Sequence, residues 1–257
     1  MIAALDPKTS ILASLDTIRR ASPSLLDIDR FSEVAALGAT FGTEQFDADL
    51  YLDGVIEKPW GHEYRVYADH FYDIWKLALL PGQATSMHCH PRKETALLCL
   101  SGHAEVQLLD RTHRLSATDF IYIHKGAFHS TRNIGNSDLH LIEVETPRNK
   151  FDLVRLGDRY GRVLKHYEQG NLDHHVPDIQ PFKYINGAKL RPGSSDNLYS
   201  FGLRAGLDLI CRRESNLIFL VSLSLKNAFK QDIQVFQASN MTGDALDPEV
   251  FYFTIAV

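Results

Sequence analysis

One stretch gathers the residue types that do chemistry: Gly82-Gln-Ala-Thr-Ser-Met-His88-Cys-His90-Pro-Arg-Lys-Glu94. On a strand alternate side chains share a face, so this spacing points His88 and His90 the same way and Cys89 the other way. Two imidazoles on one face with a carboxylate nearby are part of a metal site. Further along comes His129, in the stretch His124-Lys-Gly126-Ala-Phe-His129-Ser-Thr-Arg-Asn133. A hairpin that brings it beside the first pair completes three histidines and one glutamate: His88, His90, Glu94 and His129. Such a mixed nitrogen and oxygen set suits one divalent metal ion, Fe, Mn, Co, Ni or Zn, and does not choose among them.

These residues need elements that hold them. From Val55 onward, short runs rich in β-branched, aromatic and leucine residues alternate with turn signals. The runs are Tyr64–Tyr67, Tyr72–Leu80, Thr95–Leu100, Ala104–Leu109, Phe120–His124 and Leu139–Val144, separated by pairs such as Pro81-Gly82, Ser101-Gly102 and Lys125-Gly126. Short strands at such intervals predict a mainly β sandwich or barrel. Before it, Ile11, Leu12, Leu15 and Ile18 recur at helical spacing, and a second amphipathic segment runs from about Ile28 to Leu37 and ends at Gly38. After Tyr167 the chain turns polar, with His174-His175 in a loop. Strand-like runs then return at Leu207–Cys211, Leu217–Leu225, Ile233–Gln237 and Val250–Val257.

Composition narrows the class. Of 257 residues 44% are hydrophobic and 23% charged, enough for a packed core. The formal charge of −5 lacks the basic excess of a nucleic-acid binder. Three scattered cysteines, Cys89, Cys99 and Cys211, do not make a disulfide framework and favour a reducing, cytoplasmic setting; Cys89 and Cys99 read as small barrel residues. The opening residues lack the basic-then-apolar order of a signal peptide. The most apolar stretch, Leu217 to Leu225, falls far short of the roughly 20 residues a spanning helix needs, so no membrane association is expected.

The pattern Gly-x5-His-x-His-x3-Glu, followed by Gly-x2-His-x3-Asn, resembles the two signature motifs of the cupin superfamily. The resemblance implies a double-stranded β-helix or jelly-roll barrel, with N-terminal helices and a β-rich C-terminal extension around it. It also implies His88, His90, Glu94 and His129 as metal ligands, Pro81-Gly82 as the turn entering the ligand strand, and Asp119 as the acid opening the second motif. Three positions depart from the pattern. Seven residues, not the usual six, separate Glu94 from Gly102. Thr118 stands at a customary glycine and His124 at a customary proline. A β-bulge that absorbed the extra residue would re-aim Glu94.

The flanks narrow the resemblance. Ile56-Glu57-Lys58-Pro59-Trp60-Gly61 precedes the barrel, and Asp158-Arg159-Tyr160-Gly161-Arg162 follows it. Together they are similar to the entry and exit motifs of the isomerase domain of type II mannose-6-phosphate isomerases. That family usually has Gln where His88 stands, and its glutamate lies one residue beyond Glu94. Many members also carry a GDP-mannose pyrophosphorylase; no glycine-rich nucleotidyltransferase signature is present here, so that activity is not expected. The resemblance implies a sugar-phosphate, mannose-6-phosphate-like aldose–ketose isomerase, in which a metal stabilises the enediolate. His124 and Glu143 are the candidate bases, Glu143 if its strand face points inward. Lys76, where the family has a basic residue, and Arg162 are the candidate cations for the phosphate or the enediolate charge. Trp60 reads as a core plug rather than a sugar platform. Two other functions fit the same residues: a cupin dioxygenase with a three-histidine, one-glutamate iron site, and a non-catalytic sugar-binding cupin. Exposed sheet edges and the resemblance together suggest a homodimer.

The chain thus divides into an N-terminal helical segment over 1–54, a metal-binding barrel over 55–165 and a β-rich extension over 166–257. The last holds no His-x-His pair and is expected to be a degenerate, metal-free barrel, a dimerisation sheet or a cover for the pocket.

Overall fold

The computed structural model describes residues 18–37, 53–150, 152–157, 172–173, 179–212 and 214–257. The predicted helix at Ile11–Ile18, the exit motif with Arg162 and the pair His174-His175 lie outside the described residues, apart from Ile18 itself.

The first described elements are strand β1 (Arg19–Ala21) and helix α1 (Leu25–Ala36). The helix starts three residues earlier than its apolar pattern suggests, because Ser24 and Asp27 form a reciprocal capping box that satisfies the first free N–H groups. Eleven strands follow: β2 (Val55–Lys58), β3 (Gly61–Ala68), β4 (Asp73–Leu79), β5 (Met87–Cys89), β6 (Glu94–Ser101), β7 (His103–Leu108), β8 (Thr112–Ser116), β9 (Phe120–Ile123), β10 (His129–Asn133), β11 (Leu139–Thr146) and β12 (Val154–Gly157). Beyond them come β13 (Leu172–Asp173), β14 (Lys183–Ile185) and β15 (Ala188–Leu190). The last segment comprises β16 (Ser200–Ala205), α2 (Gly206–Cys211), β17 (Leu217–Ser222), α3 (Leu225–Lys230), β18 (Val235–Gln237) and β19 (Phe251–Ala256).

Three sheets stack as layers. The central sheet runs β1-β9-β6-β11-β4-β3-β15-β14, with β2 pairing β3 and β13. The second runs β12-β5-β10-β7-β8 and the third β16-β19-β17-β18. Alternation along the central strands decides what meets what. Trp75, Leu77, Leu97, Cys99, Ile121 and Leu141 point inward and pack on Ala104, Val106, Leu108 and Leu115 of the second sheet, which closes the barrel. Tyr64, Val66, Ile74, Ala96, Leu98, Tyr122, Ile142 and Val144 point outward and pack on Phe201, Phe219, Val221, Phe253 and Ile255 of the third sheet. The central strands are therefore covered on both faces, and β4 (Asp-Ile-Trp-Lys-Leu-Ala-Leu) is buried at every residue.

Gly61, the last residue of the entry motif, has φ +141°, and a Cβ there would run into the Ala78 carbonyl, so only glycine fits the turn from β2 into β3. Trp60 is buried in the inner core, as expected of a plug. Two expectations need correction. Leu207–Cys211 is a helical turn, α2, not a strand: only Leu209 of its apolar residues is buried, and Arg204 pairs with Asp208 one turn on. A short apolar run does not by itself choose between helix and strand, and tertiary packing decided this one. Leu217–Leu225 is a strand only to Ser222; Leu225 already begins α3.

Candidate metal centre

His88 of β5 and His129, the first residue of β10, are direct cross-strand partners in the second sheet. His90 follows two residues after His88, past the end of β5, and its side chain turns to the same place. The ring centroids are 4.4 Å (His88–His129), 5.0 Å (His88–His90) and 5.6 Å (His90–His129) apart. All three rings are buried, and one ligand atom from each lies within 4.8 Å of the others. The supporting shell sets their tautomers. Nδ1 of His88 meets the Ser86 carbonyl at 2.8 Å, Nδ1 of His90 the Asp152 carbonyl at 2.6 Å, and Nδ1 of His129 the Ala127 carbonyl at 3.1 Å. A carbonyl only accepts, so each Nδ1 carries the proton and each Nε2 keeps its lone pair. Burial holds all three rings neutral: His88 and His90 are lowered far below the usual imidazole range, and His129 to about 4. Nε2 of His90 is buried without a hydrogen-bond partner. Three neutral imidazoles with converging lone pairs, one of them orphaned, are the donor set a divalent transition metal takes.

The loops that carry these rings are tied down. Asp27, from the α1 capping box, also accepts the Phe128 N–H at 2.8 Å, next to His129. The Asp152 carboxylate accepts the backbone N–H groups of Arg92 and Lys93 at 2.8 and 3.1 Å, while its own carbonyl orients His90.

Facing the histidines is a dense set of buried charges at a cleft. Glu143 and Glu145 point inward from β11, and with His90 they form a second group of converging ligand atoms. Lys150 Nζ lies 3.4 Å from Glu143 and 3.5 Å from Glu63, and 4.1 Å above the ring of Trp75, which supports it from below. Lys58 Nζ is 3.7 Å from Glu63, and Lys93 Nζ is 2.5 Å from Glu145 Oε1. Arg155, in register with His88 across β5 and β12, completes the wall. Burial raises Glu143 to about 7 against the pull of Lys150. Burial works against the Lys150 ammonium, but Glu63, Glu145 and Glu143 together outweigh it and raise its pKa.

The residues expected from sequence thus divide. His88, His90 and Glu143 line one cleft, and His129 converges with the two histidines. Glu94 does not join them: its carboxylate leaves on the outer face of β6 and lies 2.7 Å from Nδ1 of His124. Both line a separate cavity with Arg20, Tyr122 and Lys230. His124 is therefore a partner of Glu94 and not a group of the cleft. Lys76 also points outward; it is buried under the third layer, 3.0 Å from His140 Nδ1 and 3.2 Å from Asp196. The physical reason is parity: Trp75 and Leu77 take the inward positions of β4, which leaves Lys76 on the other face. Sequence reasoning passed over Lys58, Glu63, Lys93, Glu145, Lys150 and Arg155. Glu145 carried a usable signal, since it shares the strand parity of Glu143. Lys150 and Arg155 come from a loop and a short strand whose placement no local pattern announces.

Residues 75–145 match the family model of the cupin domain. The match runs from within β4 to within β11 and includes all three histidines. The mannose-1-phosphate guanylyltransferase of Salmonella typhimurium is 32% identical over 110 residues, 42% of this chain and 23% of that protein. The mannose-1-phosphate guanylyltransferase of Escherichia coli has the same identity over the same span. The chain thus covers less than a quarter of the length of these curated relatives. Among solved structures, an oxalate decarboxylase of Lactobacillus farciminis in complex with formate is similar over 40% of this chain and 33% of that chain, with 24% sequence identity and a TM-score of 0.36. The chain is thus similar to the cupin domain over residues 75–145, and to mannose-1-phosphate guanylyltransferases over 110 residues.

Proposed function

We propose that this protein is a metal-dependent sugar-phosphate isomerase that interconverts an aldose and a ketose. The observation that carries the reading is the pairing of two walls in one cleft: three neutral imidazoles on one side, and carboxylates interleaved with lysines and an arginine on the other. A divalent ion held by His88, His90 and His129 would supply Lewis-acid polarisation of neighbouring carbonyl and hydroxyl oxygens.

The chain's own residues do the rest. Glu143 is the proton carrier: it takes the proton from C2 of the aldose and returns it to C1, while the C2 hydroxyl gives up its proton and the C1 oxygen gains one. Atoms and charge balance without an oxidant or a second substrate. Its carboxylate is buried beside the Lys150 ammonium, which orients it and offsets the negative charge that develops on the substrate oxygens. Lys58 and Arg155 place two further cations at the cleft, where they suit the phosphate. The interleaved charges also recognise sugar hydroxyls, each of which needs a donor and an acceptor.

The test is aldose–ketose interconversion on a panel of hexose and pentose phosphates with Mn, Co, Zn, Ni or Fe(II) supplied. Turnover that chelator abolishes, and that Glu143→Gln lowers by about 10²–10⁴-fold, is the expected result. No turnover on the panel by protein shown to contain metal sinks the reading.

A further inference from the structure

We infer that Glu145, and not Glu94, supplies the carboxylate that completes the three-histidine site, so that the metal's oxygen ligand has moved from the His-x-His segment to β11 of the central sheet. The inference rests on the metal reading above and concerns which residues of this chain hold the ion.

The register of the central sheet makes the case. Strand β6 pairs with β11 without a break from Glu94↔Thr146 through Cys99↔Leu141. Thr95 is therefore the inward residue at the start of β6, and Glu94 is an outward one. A strand moved by one residue exchanges its faces, and the position from which β6 could reach the histidines holds a threonine. Thr95 is buried and its hydroxyl has no hydrogen-bond partner. Directly across from Thr95, on the same face, stands Glu145. The cross-strand pair at this register thus still contains one carboxylate, contributed by the other strand.

Glu145 has the environment of a ligand. Its side chain is 1% exposed, and Oε1 lies 4.0 Å from Nε2 of His90. The other oxygen, Oε2, is buried without a hydrogen-bond partner, as is that Nε2. A carboxylate oxygen and an imidazole lone pair are both acceptors; neither satisfies the other, and two such buried orphans on side chains whose ligand atoms converge call for a cation. Lys93 takes Oε1 at 2.5 Å and fixes the carboxylate, leaving Oε2 for the ion. Glu94 has the opposite environment: it is engaged by His124 and opens on the separate cavity.

The test is the affinity for Co(II), by competition with a chromophoric chelator, and the visible d–d spectrum of the Co(II) protein. Glu94→Gln is expected to leave both unchanged. Glu145→Gln is expected to weaken binding roughly tenfold or more and to change the spectrum. Because Glu145→Gln strands the Lys93 ammonium, the double variant Lys93→Met/Glu145→Gln removes both charges and is expected to show the same loss while remaining folded by circular dichroism. Adding Thr95→Glu to that double variant returns a carboxylate to the facing strand and is expected to restore affinity. Wild-type affinity and spectrum in the double variant, or a loss in Glu94→Gln, overturn the assignment. A wild-type protein that binds no Co(II) overturns it together with the metal reading, so the two failures are told apart.

Discussion

The three imidazoles decide how the protein responds to acid. In the unfolded chain a histidine takes up a proton near 6.5, whereas folded His129 does so only at about 4 and remains neutral in between. Across that window the unfolded state binds more protons, so the contribution of His129 to stability is full above pH 6.5 and falls as pH drops toward 4. The size is on the order of 3 kcal/mol, since each pH unit of that window is worth about 1.36 kcal/mol. Asp73, raised to about 6, and Glu143, raised to about 7, act in the opposite sense, because the folded state binds their protons first and gains stability on acidification. The informative quantity is therefore a difference between variants. With chelator present, the loss of stability between pH 7.5 and 5 should be smaller in His129→Gln than in wild type, as read from denaturant melts. Equal losses would show that the ring does not titrate as its burial implies. At this scale the histidines were legible from residue type and spacing alone, and Glu143 on the condition that its strand face turned inward. The lysines and the arginine opposite were not legible, because nothing in a lysine's own neighbourhood says that the fold will bury it against a glutamate.

At the scale of elements, strand parity governs which side chains share a cleft. Lys76 shows this most clearly, being a cation on a central strand that serves the outer face. Burial lowers its pKa and Asp196 pulls it back up, with the Nζ between the rings of Tyr64 and Tyr199. Asp196 in turn is held by Ser194 and by the Leu198 N–H, so the 194–198 loop is fastened to β4 by this ammonium. Asp196→Asn should destabilise the fold by about 1–3 kcal/mol, less than a fully buried pair because Asp196 is partly exposed, while Co(II) affinity stays at the wild-type value. Lys76→Met should cost less, since it removes the charge together with its need for a partner. A large change in metal affinity in either variant would place Lys76 functionally at the cleft and contradict its outward position on β4. The barrel strands from Tyr64 to Val144 were legible from their β-branched and aromatic runs and intervening turns. The faces of those strands were not, because β4 and β6 are buried on both sides and so lack the polar–apolar alternation that normally reveals parity. The same loss of alternation concealed that Glu94 is an outward residue.

At the scale of the molecule, the third sheet explains why the central strands are apolar throughout. Its aromatic residues interlock with the outer face of the barrel: Tyr67 with Phe253 at 5.6 Å and Phe120 with Phe219 at 6.2 Å between ring centroids. Tyr122 of β9 accepts the Val235 N–H of β18 at 3.0 Å, which joins the layers by a buried hydrogen bond as well. One apolar cluster runs through both, from Val55 and Tyr64 to Phe253 and Ile255. Layers that share a core lose it together, so removing either one exposes the outward face of the other. Phe253, fully buried at the centre of that cluster, is the place to test this. Phe253→Ala should cost about 3–5 kcal/mol, as is usual for a large cavity. It should also shift a single unfolding transition, with intrinsic tryptophan emission and far-ultraviolet circular dichroism moving in step, because Trp60 and Trp75 both lie in the inner core of the barrel and report on it directly. Two separated transitions, with the tryptophan signal unmoved by the substitution, would mean that the barrel stands without the third sheet. In the first case the C-terminal strands are a structural half of the histidine-bearing barrel, and every residue of β4, Lys76 included, is placed by the need to fill two cores at once.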